Sequence, residues 1–178
     1  IQVGDVITAI DGKPALEVQN FYQLLEGKGG RGVEIERARN GASKRVQVKT
    51  IVAETNLRYL DWIQTRSALV SKLSNGRIGY VHLPNTAIEG NRELFKQFPS
   101  QTDKEALIID DRYNGGGFIP DRLIEVLARK PLNYWKRRGL EPEATPLLSH
   151  AGPKVMLING LSSSGGDALP YYFRKLGL

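Results

Sequence analysis

Residues 106–117 read ALIIDDRYNGGG, a short and nearly all-apolar segment that runs directly into a polar loop with three glycines. A run of this length is typical of a strand buried on both faces, as in parallel sheets. A second such pair follows at residues 155–167, VMLINGLSSSGGD, whose loop leads into a helix predicted from about Ser164. Strand, loop and helix in this order indicate a parallel sheet with helices packed on it.

The same alternation extends over the chain from residue 53 onward. Helical spacing of apolar residues predicts helices over residues 57–73, 89–98, 120–128 and 164–176, and apolar runs predict strands over 78–83, 106–110 and 155–158. We therefore predict that residues 53–178 form an α/β domain with a mostly parallel sheet.

Residues 1–52 follow a different pattern, which predicts a separate β-rich domain with one helix. Alternating residues 6–10 end at the turn dipeptide Asp11-Gly12, and residues 18–25 carry apolar side chains at helical spacing. Two further alternating segments flank Asn40-Gly41, which is a strong hairpin signal.

Composition excludes several classes of function. The absence of cysteine rules out disulfides, thiolate metal sites and a cysteine nucleophile, and two histidines argue against a multi-histidine metal site, so we expect no metal and no cofactor. No apolar run approaches the roughly 18 residues that a membrane span needs, so no membrane partner is expected. The net charge is +6, and the densest basic cluster lies beside no nucleic-acid-binding module, so we interpret it as a solvated or subunit-facing surface. This basic cluster consists of Arg129, Lys130, Lys136, Arg137 and Arg138.

Ser164 has two interpretations from the residues alone. With Asp167 three positions later, it fits a capping box that satisfies N–H groups at the start of a helix. At a strand-to-helix turn and followed by Gly165, it also fits a nucleophile elbow, with the Gly165 N–H as an oxyanion donor and the three-glycine loop supplying a second.

Taken together, these segments resemble the tricorn protease family, specifically its bacterial homologues, which are related to the C-terminal-processing serine peptidases. The resemblance runs over essentially the whole chain. The motifs that carry it are GDVITAIDG (4–12), RYLDW (58–62), GYVHLPNT (79–86), ALIID (106–110), RYNGGG (112–117), GPKVMLI (152–158), SGGDALP (164–170) and FRKLGL (173–178).

The resemblance implies an incomplete PDZ domain over residues 1–52 and an incomplete Clp protease/crotonase-like α/β core over residues 53–178. It implies Ser164 as the nucleophile, the N–H groups of Gly165 and Gly117 as oxyanion donors, and substrate binding at Gly116 and Asn114. It further implies short peptide substrates, a ring-shaped homo-oligomer of the parent protein and a cytoplasmic location.

The sequence departs from the family pattern at the general base. The family's histidine lies upstream of the PDZ domain and its acidic partner beyond the nucleophile helix, so we expect this chain to be a piece of a longer polypeptide and nearly inactive alone. We expect His82 to be packed or hydrogen-bonded within a strand, and His150 to be solvated in a loop. Residues 133–137 carry no acid where the archaeal enzyme has one, so a preference for basic P1 residues is not supported.

Two alternatives to a peptidase stay open from the sequence. One is a peptide-binding module that has lost catalysis, in which the PDZ-like part and the glycine-rich loops hold a peptide without cutting it. The other is a crotonase-like acyl-CoA enzyme, for which the PDZ-like part and Ser164 would have no use.

Overall fold

The computed structural model describes residues Ile1–Leu178 and divides them into two units, Ile1–Leu60 and Asp61–Leu178. The strands are β1 (Val6–Ile10), β2 (Lys13–Pro14), β3 (Gly32–Arg39), β4 (Ala42–Lys49), β5 (Ile78–His82), β6 (Ala106–Asp110), β7 (Asn133–Trp135), β8 (Glu143–Thr145) and β9 (Lys154–Leu157). The helices are α1 (Thr55–Leu73), α2 (Ile88–Gln97), α3 (Pro120–Leu127) and α4 (Gly165–Lys175). None of these helices combines the length and the apolar character that crossing a membrane requires.

The first unit is built on an antiparallel sheet with strand order β2-β1-β3-β4. Along β3, Val33 and Ile35 enter a small core that also contains Ile10 and Leu24, while Glu34 between them lies on the other face. This alternation confirms the prediction of a β-rich N-terminal part, because a half-buried strand needs apolar residues at every second position.

The helix predicted over residues 18–25 is wrong. The structure has two short 3₁₀ turns there, Ala15–Glu17 and Phe21–Leu25, separated by extended backbone at Val18. Asn20 Oδ1 accepts a hydrogen bond from the Tyr22 N–H at 3.0 Å, which starts a new turn at that point. A short polar side chain that bonds to nearby backbone competes with continuous helix, and here it prevails over the apolar spacing.

The second unit contains the predicted parallel sheet, with strand order β5-β6-β9. Its register pairs His82 with Asp110, and Asp110 with Leu157, so the carboxyl ends of the three strands meet at one edge. Three loops, residues 83–87, 111–119 and 158–164, leave the sheet from this edge. Helices α2, α3 and α4 pack with one face of the sheet around a buried apolar cluster that includes Val81, Leu83, Leu94, Phe98, Leu107, Ile109, Leu123, Leu127, Leu169 and Phe173.

Two features of the second unit differ from the sequence-based expectation. Strand β9 forms, but Val155 is 57% exposed, so the strand is not buried on both faces as predicted. β9 lies at the edge of the sheet, whereas Tyr80, which shares the face of Val155 on strand β5, is buried. In addition, β7 and β8 form an antiparallel hairpin in a stretch without clear periodicity.

The residues of the basic cluster are exposed, in line with their interpretation as a surface.

Candidate active site

Ser164 lies at the sharp turn between β9 and α4, directly before the first helical residue. Its backbone has φ +56° and ψ −120°, a combination that non-glycine residues rarely adopt. The side chain is exposed, and its hydroxyl makes no hydrogen bond within the chain. An exposed serine held in a strained strand-to-helix turn has the geometry of a nucleophile elbow.

The capping box predicted as the alternative for Ser164 is wrong. The Ser164 side chain caps no N–H group of α4. Ser164 and Asp167 are joined only through their backbones, where the Asp167 N–H donates to the Ser164 carbonyl at 2.9 Å. The first turn of the helix therefore does not use the hydroxyl.

Of the three glycine N–H groups in the loop after β6, one is left unbonded. The Gly115 N–H donates to the Pro84 carbonyl at 3.0 Å, and the Gly116 N–H donates to Asn114 Oδ1 at 2.9 Å. The Gly117 N–H has no hydrogen-bond partner in the chain, and neither has the N–H of Gly165 at the start of α4. Both groups predicted as oxyanion donors are thus unbonded in the chain.

The loops that carry these donors touch each other at their glycines. A Cβ added to Gly116 would lie 2.6 Å from the Ser163 carbonyl oxygen and 2.9 Å from Ser164 Cβ. A Cβ added to Gly165 would lie 2.2 Å from the Gly117 carbonyl oxygen. Real Cβ atoms do not approach so closely, so glycine at these positions allows the two loops to meet and brings Ser164, Gly165 and Gly117 together.

The substrate-binding role that we predicted for Asn114 and Gly116 stays a prediction, and the polar groups of both residues already bond within the chain. Asn114 has no exposed surface, and its Nδ2 donates to Asp111 Oδ1 at 2.7 Å and to the Leu83 carbonyl at 3.2 Å. The Gly116 carbonyl accepts the Thr86 N–H at 2.9 Å. Because these groups are bonded inside the chain, both residues help to shape the loop.

Thr86 is a site residue to which sequence reasoning assigned no role. It is buried, its N–H bonds to the Gly116 carbonyl, and its Oγ1 donates to the Gly117 carbonyl at 3.0 Å. Thr86 therefore ties the loop after β5 to the glycine loop. Its place just beyond the end of a strand was visible in the sequence, but its partner lies 31 residues away.

The two histidines are both buried. His82 is 1% exposed and packs edge-to-face on Trp62 with ring centroids 5.5 Å apart, which confirms the predicted packed residue. The prediction that His150 is solvated is wrong, because it is also 1% exposed and its Nε2 lies 2.7 Å from the Lys104 carbonyl. Burial lowers the pKa of both side chains. Neither histidine bonds to the Ser164 hydroxyl, and His150 precedes β9, at the opposite end of that strand from Ser164.

Two consecutive buried aspartates lie where β6 meets the following loop: Asp110 is the last residue of the strand and Asp111 is the first of the loop. Their pKa values shift in opposite directions. Burial acts to raise the pKa of Asp110, but hydrogen bonds from Arg112 (Nε, 2.8 Å) and from the Tyr80 hydroxyl (2.6 Å) outweigh it and lower that pKa. The Arg112 guanidinium also lies over the Trp62 ring, 5.0 Å from its centroid. Burial raises the pKa of Asp111, which has no cationic partner, to about 7.

The chain matches two protein families in succession. Residues 1–53 match the family described as Tricorn protease PDZ domain, and residues 77–178 match Peptidase family S41. Together with the fold, these matches define a class of protein in which a β-rich, PDZ-type part precedes an α/β peptidase core. The chain belongs to peptidase family S41, and in its first 53 residues it is similar to the PDZ domain of tricorn proteases.

Individual relatives agree with this assignment. The tricorn protease of Thermoplasma volcanium is 33% identical over 177 residues, which cover 99% of this chain and 17% of the relative. Tricorn protease homolog 2 of Streptomyces coelicolor is 36% identical, and the match covers 100% of this chain and 16% of the relative. A crystal structure of the tricorn protease superposes with a TM-score of 0.91 at 30% identity, covering 98% of this chain and 17% of that one. The chain thus spans only a small part of the length of the relatives that it matches.

Proposed function

We propose that this chain is part of a serine peptidase that cleaves short peptides through an acyl-enzyme on Ser164. The observation that carries the proposal is the strained, exposed Ser164 beside two unbonded N–H groups, those of Gly165 and Gly117. Membership of peptidase family S41 and the names of the relatives support a peptidase over an acyl-CoA enzyme.

In the proposed reaction the Ser164 Oγ attacks the scissile carbonyl carbon and the amine leaves, after which water releases the acyl group. The carbonyl oxygen becomes negatively charged in the intermediate and accepts hydrogen bonds from Gly165 and Gly117. A serine hydroxyl is a weak nucleophile until a base removes its proton. Because neither histidine of the chain bonds to Ser164, we propose that the base and its acidic partner come from outside residues 1–178.

The proposal extends to the organisation of the parent protein. Residues 1–52 would be an incomplete PDZ domain and residues 53–178 an incomplete catalytic core, within a polypeptide as long as the tricorn relatives. The parent protein would be a cytoplasmic homo-oligomer that encloses its active sites in a ring, so that only short peptides reach them.

The test is active-site labelling of the full-length polypeptide with a fluorophosphonate probe, followed by identification of the labelled residue. We expect labelling of the wild type and of Ser163→Ala, and none of Ser164→Ala. Ser163 is the matched control because it is exposed, adjacent and makes no side-chain hydrogen bond. Normal peptidase activity in Ser164→Ala would show that the nucleophile is another residue, and a wild type that binds peptides without labelling would favour the non-catalytic binding module.

A further inference from the structure

We propose that Asp111 is a positioning residue of this site, whose buried carboxyl holds Asn114 and, through Asn114, both loops that carry the oxyanion donors. The inference rests on the proposed function for the role of those donors. The hydrogen bonds themselves are independent of that function.

Asn114 connects the two loops, and Asp111 fixes the orientation of its amide. Asp111 Oδ1 accepts from Asn114 Nδ2 at 2.7 Å. Asn114 Oδ1 in turn accepts a hydrogen bond from the Gly116 N–H at 2.9 Å. The backbone carbonyl of Asn114 accepts one from the Ser163 N–H at 3.1 Å. Gly116 directly precedes the donor Gly117, and Ser163 directly precedes the nucleophile. A shift of Asn114 would therefore move both halves of the site.

Further contacts leave little room for Asn114 to move. The Asp111 carbonyl oxygen accepts a hydrogen bond from Ser162 Oγ at 2.9 Å, which is a second tie to the serine loop. On the other side, a Cβ added to Gly166 would lie 2.8 Å from the Asn114 carbonyl oxygen and 2.9 Å from its Oδ1. Close packing on both sides means that the position of the amide is transmitted to the loops rather than absorbed.

The surroundings of Asp111 favour its neutral form. The side chain has no exposed surface, and its Oδ2 is buried without a hydrogen-bond partner. The charged groups that act on it are Asp110 and Asp167, both of which are acids, and Arg112 bonds to Asp110 instead. Burial and these two charges raise its pKa to about 7, against the hydrogen bond from Asn114, which acts to lower it. A neutral carboxyl can orient Asn114 without placing a negative charge beside a developing oxyanion.

The first test compares Asp111→Asn with Asp111→Leu in the full-length polypeptide. The Asn variant keeps a neutral acceptor for Asn114, whereas Leu has a similar size and no acceptor. We expect kcat of the Leu variant to fall about 10- to 100-fold with little change in KM, because the donors are displaced rather than removed. We expect the wild-type kcat to decline as Asp111 ionises above about pH 7, and the Asn variant to match the wild type below pH 7 without that decline.

The second test measures amide hydrogen exchange at Gly116 and Ser163, which requires no turnover. Exchange at both amides should be about tenfold faster in the Leu variant than in the wild type or the Asn variant, since Asn114, no longer held by Asp111, holds the two N–H groups less firmly and local opening increases. If the wild type shows no Ser164-dependent turnover, the proposed function is refuted, and the exchange rates still decide whether Asp111 holds the loops. Wild-type kcat and exchange in the Leu variant would overturn the positioning role. If the Leu variant fails to fold, Asp111→Ala, which also lacks the acceptor, takes its place, and wild-type kcat and exchange in that variant would overturn the positioning role.

Discussion

Two residues of the proposed site have positive φ, +56° at Ser164 and +144° at Gly117. For a serine, such backbone costs on the order of 1–3 kcal/mol and persists only where surrounding contacts hold it. The contacts here are the glycine loop on one side and the first turn of α4 on the other. In this conformation Ser164 is exposed and its hydroxyl is not bonded to the helix, as a nucleophile requires.

At Gly117 we predict a sharp difference from its neighbour Gly115 in the same loop. A Cβ on Gly117 would lie 2.5 Å from the Thr86 carbonyl carbon and at a φ that disfavours any side chain, whereas a Cβ on Gly115 would have no atom nearer than 3.9 Å. Gly117→Ala should therefore displace its N–H and lower kcat by about 10²- to 10³-fold, the usual cost of losing one oxyanion donor. Peptidase assays on the full-length polypeptide should show near-normal rates for Gly115→Ala. Equal rates for the two variants would mean that Gly117 is only a turn residue.

At the scale of elements, the start of α4 departs from ordinary helix energetics. Replacing a helical glycine by alanine usually stabilises a protein by up to about 1 kcal/mol. At Gly165, however, the added Cβ would lie 2.1 Å from Thr86 Oγ1 as well as against Gly117. The contact between α4 and the glycine loop thus overrides helix propensity at this position.

We accordingly predict that Gly165→Ala lowers the free energy of unfolding by about 1–3 kcal/mol, as overpacked sites do. The control is Gly160→Ala, because a Cβ at Gly160 meets no atom within 4 Å. Urea unfolding of the 178-residue chain measures both variants. An unfolding free energy for Gly165→Ala at or above the wild-type value would contradict the close approach of the loops.

The segment before β9 should make stability depend on pH through His150. Burial lowers the pKa of His150 in the folded state below its usual 6.5, so the folded protein binds fewer protons than the unfolded chain. As pH falls through 6.5 the unfolded state takes up a proton and the stabilising contribution of His150 is progressively lost. Urea unfolding of wild type and His150→Gln, at about pH 7.5 and about 5.5, should give a difference in unfolding free energy that shrinks at the lower pH. A difference that stays constant would mean that His150 keeps an ordinary pKa.

At the scale of the whole molecule, the proposed chemistry is incomplete within residues 1–178. Ser164 and both oxyanion donors are together, yet the Ser164 hydroxyl has no hydrogen-bond partner in the chain. Of the buried acids near it, Asp110 is bound by Arg112 and Tyr80, and Asp111 by Asn114.

We therefore predict that the purified 178-residue chain, shown to be folded by circular dichroism, neither hydrolyses short peptides at a useful rate nor reacts with a fluorophosphonate probe. The full-length polypeptide should label at Ser164 under the same conditions, because the missing base costs several orders of magnitude in rate. Robust cleavage by the isolated chain that disappears in Ser164→Ala would mean that one of its own residues is the base.

Local patterns in the sequence were enough to predict most elements and their order. Apolar spacing located β1, β5, β6, α1 and α3, and the dipeptides Asp11-Gly12 and Asn40-Gly41 located their turns, because periodicity and turn preference depend on residues close in the chain. The two glycine loops were also visible as sequence, and with them the candidate nucleophile.

Tertiary contacts decided what those patterns left open. The Asp111 carbonyl meets Ser162 across 51 residues, and His150 meets Lys104 across 46, so neither contact leaves a local signal in the sequence. From the sequence, Ser164 was suited to cap a helix as well as to act as a nucleophile. In the structure the glycine loop packs against Ser164, its backbone adopts the strained turn, and its hydroxyl caps no helix. Burial, pKa and strain arise from neighbours that the fold brings together, whereas the sequence alone determines which residues are there to be brought together.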